Sequence, residues 1–152
     1  MSLTITATME SRVEIVPGAK DILIASDVTE IRRVQEEIES ELKVHKFAEQ
    51  DIFSIRLAVE EALINAIKHG NQMDRTKKVH VACRVHAERF EVTITDEGPG
   101  FDPGDVPDPT APENLERPCG RGLLLMRHYM TEVAHQDRGR VVIMAKVRKN
   151  GA

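Results

Sequence analysis

The chain has 152 residues, the length of one domain, enough to bury ~70% of the surface its unfolded form exposes. Lys plus Arg number 21 against 25 Asp plus Glu, and the net charge of −4 argues against a generally basic nucleic-acid binder. Aromatic residues are only 3%, with no Trp, and no apolar run exceeds five residues, so neither a base-stacking platform nor a membrane span is expected.

Residues 10–16 (ESRVEIV) alternate in strand fashion and stop at Pro17-Gly18. The short apolar run Ile22–Ala25 follows. Asp27, with Glu30 three residues later, resembles a capping box. From Val28 to Lys43 the spacing puts Ile31, Val34, Ile38 and Leu42 on one helical face. A second helical pattern runs from Asp51 to His69 and ends at Gly70-Asn71, a C-cap signal. Lys77–His86 then alternates, with Val79, Val81, Cys83 and Val85 on one side; Phe90, Val92 and Ile94 repeat that period after a turn at 87–89, which predicts a hairpin. Gly98–Cys119 holds six of the seven prolines and little periodicity, the composition of a functional loop. Gly122–Met130 returns to a helical pattern, and Thr131–Ala134 and Val141–Val147 read as closing strands.

Two cysteines, Cys83 and Cys119, have no C-x-x-C spacing and make neither a disulfide scaffold nor a multi-thiolate zinc site. The first residues carry no basic segment followed by an apolar one, so a single-domain α/β protein of the cytoplasm is expected.

Three clusters carry chemistry. On the second helix Glu61, Asn65 and His69 stand four residues apart and share a sector of roughly 80° at ~100° per residue, with Lys68 just to the other side of Glu61. Ile55, Val59, Ala62 and Ala66 form the neighbouring apolar stripe, so the polar cluster borders the buried face, whereas Glu60 is assigned to solvent. Taken alone, E-x-x-x-N also fits a solvated helix edge. Asp96-Glu97-Gly98-Pro99-Gly100 sits where the hairpin's second strand ends. A carboxylate there can accept a hydrogen bond from an exocyclic amine, and paired glycines let backbone approach a flat ligand; a plain turn has the same text. Gly120-Arg121-Gly122-Leu123 leads into the next helix, where exposed N–H groups can receive a phosphate and Arg121 adds charge; a plain loop-to-helix junction has the same text. Neither glycine pair completes G-x-G-x-x-G, and no P-loop, G-x-S-x-G elbow or H-x-x-x-H pair occurs.

The order of these clusters resembles the GHKL (Bergerat-fold) ATPases, and within them the anti-sigma-factor serine/threonine kinases. The matching text is EEALINAIKHGN at 60–71, DEGPGFDP at 96–103 and GRGLLLM at 120–126, and the resemblance spans residues 10–148. It implies an α+β fold: a two-layer α/β sandwich whose mixed, mostly antiparallel sheet is covered on one face by about three helices. Residues 1–152 are then one histidine-kinase-like ATPase domain with 101–119 as an ATP lid. Asn65 would ligate Mg²⁺ bridging the phosphates of ATP, and Glu61 would be the catalytic base. Asp96 would read adenine with Gly98 and Gly100 shaping the pocket, while Lys68, Gly120, Arg121, Gly122 and Leu123 would contact the nucleotide.

One departure stands on the last strand, where the family commonly has Gly followed within two residues by Thr near the adenine site. Here the text is Gly139-Arg140-Val141-Val142: Val141 stands where the Thr is expected, near-isosteric with it but without the hydroxyl and its hydrogen bond. The resemblance implies phosphorylation of a STAS-domain anti-sigma antagonist, sequestration of a sigma factor, or both, and relatives suggest a homodimer. Neither nucleic acid nor membrane is expected as a partner. The alternative is a non-catalytic, nucleotide-gated binding module. A histidine-kinase catalytic domain fits less well, since 152 residues leave little room for a dimerising hairpin with its phosphoacceptor His.

Overall fold

Alternation along each strand decides which side of the sheet is buried. In the computed structural model, which describes residues 19–86, 88–100 and 118–148 (118–121 by backbone), five strands stand in the order β1-β2-β3-β5-β4. They are β1 (Lys20–Ala25), β2 (Lys78–His86), β3 (Arg89–Thr95), β4 (Glu132–Gln136) and β5 (Val141–Val147). All four pairings among them are antiparallel. Ile22, Val81, Ile94 and Val142 lie in one cross-strand row, and Cys83, Val92 and Met144 in the next. All seven are buried in one core with the helices, so the β-branched residues sit where a half-buried pleated surface favours them. Burial also pushes the Cys83 thiol up to about 11, which leaves it un-ionised and unreactive at neutral pH.

The helices supply the other layer. After a 3₁₀ turn (Val28–Glu30), α1 (Ile31–Val44) buries Ile31, Val34, Ile38 and Leu42, the four residues its period selects. The expected capping box does not close. Asp27 caps by accepting from the Thr29 N–H at 2.9 Å, and Glu30 turns instead to Arg33. The second helix, α2 (Glu49–Ile64), buries Ile55, Ala58, Val59, Ala62 and Leu63. It does not run on as an α-helix to His69: Asn65–Gly70 form a π-helical turn, closed by the Asn71 N–H donating to the Ala66 carbonyl five residues back. The third, α3 (Pro118–Tyr129), packs on α2 and begins four residues before the predicted start. The pattern between 118 and 121 is not apolar, yet proline is well suited to a helix's first position. The strand expected at 10–16, residue 87 of the hairpin turn and nearly all of the lid at 101–119 lie outside the described residues.

Candidate functional site

Two places on α2 and its π turn gather the polar residues. The first is the meeting of α2 with α3. Glu61 and Asn65, one α-turn apart, are both half-buried. A Cβ added to Gly122 would stand 2.9 Å from Glu61 Oε1 and 3.1 Å from Asn65 Nδ2. The carboxylate and the amide therefore converge on one spot, kept open because Gly122 has no side chain. This joins residues of the first and third sequence clusters.

The second lies where the π turn meets the end of β3. The wider turn brings Gly70 against Asp96: a Cβ on Gly70 would fall 2.3 Å from Asp96 Oδ2. A Cβ on Gly98 would fall 1.9 Å from the Gly70 carbonyl oxygen, so neither position admits a side chain as built. Asp96 is buried, and its Oδ1 accepts from the Gly98 N–H at 2.8 Å. Desolvation pushes its carboxyl up to about 6, against the opposing pull of that N–H and of the Arg140 charge. A buried carboxylate beside side-chain-free backbone is suited to accept a hydrogen bond from a flat, amine-bearing ring.

Two side chains hold this loop. Asn71 Oδ1 accepts from the Glu97 N–H at 2.8 Å, while its Nδ2 donates to Ser26 Oγ at 2.8 Å and to the Lys78 carbonyl at 3.0 Å. Ser26 Oγ in turn donates to the Lys77 carbonyl at 2.7 Å, and the Lys78 N–H donates to Glu97 Oε1 at 2.9 Å. Ser26 and Asn71 are fully buried, with every one of these groups paired. From the other side Arg140 donates through Nε to the Gly98 carbonyl at 2.7 Å and through Nη2 to the Pro99 carbonyl at 2.9 Å. Sequence reasoning found neither Gly70, Asn71 nor Arg140 as site residues. Gly70-Asn71 reads as an ordinary helix C-cap, and Arg140 is visible only as the neighbour of Val141, where the family's hydroxyl is expected.

The remaining expectations fall differently. Lys68 lines a cleft between α1 and α2 with Val28, Ile31, Arg32, Gln35, Glu60 and Ile64. The structure does not bring it to the Glu61–Asn65 pair. A π turn advances roughly 85° per residue instead of ~100°, so three residues past Asn65 the side chain has swung back beside Ile64. Glu60, assigned to solvent, is half-buried and accepts from Gln35 Nε2 at 3.3 Å. His69 is exposed on the π turn. Because α3 starts at Pro118, Gly120, Gly122 and Leu123 lie within the helix and not ahead of it, and Leu123 packs against the core. Arg121's side chain lies outside the described residues. Gly100, at φ 73°, makes the backbone turn that needs a glycine. Val141 pairs with Thr95 on the sheet side opposite the core row, while the residue bonded to Asp96 through its backbone is Arg140.

Residues 24–146 match the model of the histidine kinase-like ATPase domain. Serine-protein kinase RsbW of Bacillus licheniformis is 35% identical over 107 residues, covering 66% of this chain and 67% of that protein. The anti-sigma F factor of Clostridium perfringens is 30% identical over 103 residues, or 64% of this chain and 73% of that one. Among solved structures, the RsbU and RsbW domains of Rv1364c from Mycobacterium tuberculosis share the fold, with a TM-score of 0.58 and 16% identity over 86% of this chain and 32% of that one. With a family match across more than four-fifths of its length and the two glycine-lined clusters in place, the chain belongs to the histidine kinase-like ATPase family, in the branch of the anti-sigma-factor serine-protein kinases.

Proposed function

We propose that the chain is an ATP- and Mg²⁺-dependent serine/threonine-protein kinase whose substrate is a STAS-domain anti-sigma antagonist and whose second ligand is a sigma factor. The observation that carries this reading is the convergence of Glu61, Asn65 and Gly122 at one cluster and of Asp96, Gly70 and Gly98 at the other. The printed names of the relatives, serine-protein kinase and anti-sigma F factor, support the choice of chemistry and of partner.

In this reading Asp96 Oδ2 accepts the hydrogen bond of adenine's amino group, while Gly70, Gly98 and Gly100 keep the approach to the ring clear. Gly120, in the first turn of α3, offers an N–H group that has no partner within the helix and so suits phosphate, and Arg121 beside it adds positive charge. Glu61 takes the proton of the attacking hydroxyl as general base, and the space left by Gly122 lets that hydroxyl reach it. Among the described residues no three His, Cys, Asp or Glu side chains gather to cage a metal. Asn65 fits Mg²⁺ in another way, as one amide oxygen completing a shell of water and phosphate oxygens. When bound, the ion offsets phosphate charge. Positioning by these residues supplies most of the remaining catalysis.

No helix among the described residues is long and apolar enough to cross a membrane. We place the protein in the cytoplasm, as a homodimer meeting its protein partners there. The test is transfer of labelled phosphate from ATP to a serine or threonine of a purified STAS-domain antagonist. Label on that residue is the expected result. A second reading, a nucleotide-gated module that sequesters a partner without transferring phosphate, is favoured by the lack of a hydroxyl at Val141, where the family pattern has Thr. ATP binding by calorimetry without transfer supports the module, and absence of ATP binding refutes both.

A further inference from the structure

The turn between β4 and β5 adopts an unfavourable backbone. Asp137 (φ 51°), Arg138 (φ 58°) and Gly139 (φ 87°) are three consecutive residues in the left-handed region, where side chains are disfavoured. Strain of this kind persists where the surroundings over-determine it, and it collects at functional sites. What the turn delivers is Arg140. Its Nη1 donates to Asp137 Oδ1 at 3.1 Å, inside the turn, while Nε and Nη2 reach across to the Gly98 and Pro99 carbonyls. Two N–H groups of one planar fork, on adjacent carbonyls, fix orientation as well as position, which a lysine or a hydroxyl cannot reproduce. The backbone of Arg140 joins in, accepting from the Asp96 N–H at 2.9 Å. Gly100 closes the contact: a Cβ there would stand 2.9 Å from Arg138 Cβ and 3.3 Å from Arg140 Cζ. The whole Asp96–Gly100 loop is thereby stapled to the β4–β5 turn on one side, as Asn71 staples it to α2 on the other.

We propose that Arg140 is a positioning residue for nucleotide recognition: its guanidinium fork holds the Gly98–Pro99 carbonyls so that Asp96 faces the base. The proposal rests on the nucleotide reading of the Asp96 cluster. The charges that bear on Asp96 are those of Arg140 and Asp137 from the β4–β5 turn and of Lys77 ahead of β2, while the π turn meets it through uncharged Gly70. Removing Arg140 thus removes both the fork and one of two favourable charges.

Calorimetric titration of the full chain with ATP and with ADP, from pH 5 to 8, tests this with Arg140→Met and Arg140→Lys beside the wild type. Arg140→Met is expected to weaken ATP and ADP by the same factor, about tenfold, because the loop holds the base and not the phosphates. Its acid-side midpoint moves to higher pH, since Asp96 protonates more readily without the neighbouring cation. Arg140→Lys keeps the wild-type midpoint but recovers only part of the affinity. ATP affinity of folded Arg140→Met within twofold of wild type overturns the proposal. Full affinity in Arg140→Lys also overturns it, because it shows that charge alone suffices. A lowered melting temperature in both variants with an unmoved pH midpoint marks a merely structural role and overturns it too. A wild type that binds neither nucleotide contradicts the reading of the site itself and removes the proposal with it.

Discussion

Asp96 shows how one residue would exchange stability for the binding function proposed for it. Its carboxyl is buried and its value raised from 3.8 to about 6, so the folded state holds the proton more tightly than the unfolded chain does. The sign follows from that: ionised Asp96 disfavours the fold, by nothing below about pH 4 and by up to about 3 kcal/mol above about pH 6. Asp96→Asn keeps an oxygen for the Gly98 N–H and carries no charge. Denaturant unfolding should therefore find it more stable than wild type at pH 8, by about 1–3 kcal/mol, with the gain fading toward pH 4. The same variant should lose ATP, because with its oxygen kept on the Gly98 N–H its NH2 group, a donor, stands where Oδ2 would accept from an amine. Gly122 makes a complementary case. In Gly122→Ala the new methyl enters the space of Glu61 Oε1 and the Asn65 amide. Phosphate transfer should fall about a hundredfold while the melting temperature moves by only a few degrees, as comparison of transfer rates with thermal unfolding would show.

At the scale of elements, the decisive feature is the change from α-helix to π turn at Asn65. It keeps Glu61 and Asn65 one α-turn apart and then widens the backbone so that Gly70 reaches Asp96 and Asn71 reaches Glu97. Asn71→Ala would strand the Glu97 N–H and two further partners in a buried place. Urea unfolding should show a loss of about 3 kcal/mol, with ATP affinity reduced as the Asp96 loop loosens. This element also marks where the sequence stops being legible. The alternation of Val79, Val81 and Cys83 against Ile94 and Val92 predicts the hairpin and its buried face, because a period of two is set by the pleat alone. The Glu61–Asn65 pair is likewise visible at a spacing of four. A single π turn is not, since over one turn the apolar pattern cannot distinguish ~100° from roughly 85° per residue. The direction in which Lys68 leaves the helix differs from the α-helical reading for that reason. The start of α3 at Pro118 escapes the same kind of reading, because nothing apolar marks its first turn.

Across the whole molecule, the site is assembled from contacts between segments far apart in the chain. Gly70 meets Gly98, Gly122 meets Glu61, and Arg140 bonds Gly98 over a separation of 42 residues. Motif order announced the family and most of the candidate residues, but not these pairings, which depend on how the β4–β5 turn and the end of α2 close on one loop. The sheet supplies the rigid part: rows such as Ile22–Val81–Ile94–Val142 tie the strand that ends at Asp96 to both of its neighbours. In the function proposed above the two clusters divide the work, the Asp96 loop holding the base and the α2–α3 contact serving the transfer. That division is what a kinase requires of this scaffold. The most direct measurement is phosphate transfer from labelled ATP to a STAS-domain antagonist by Glu61→Gln, made at saturating ATP and beside its ATP affinity. Transfer lower by about a hundredfold or more with ATP affinity kept is the result expected of a general base. Transfer at the wild-type rate would contradict the account.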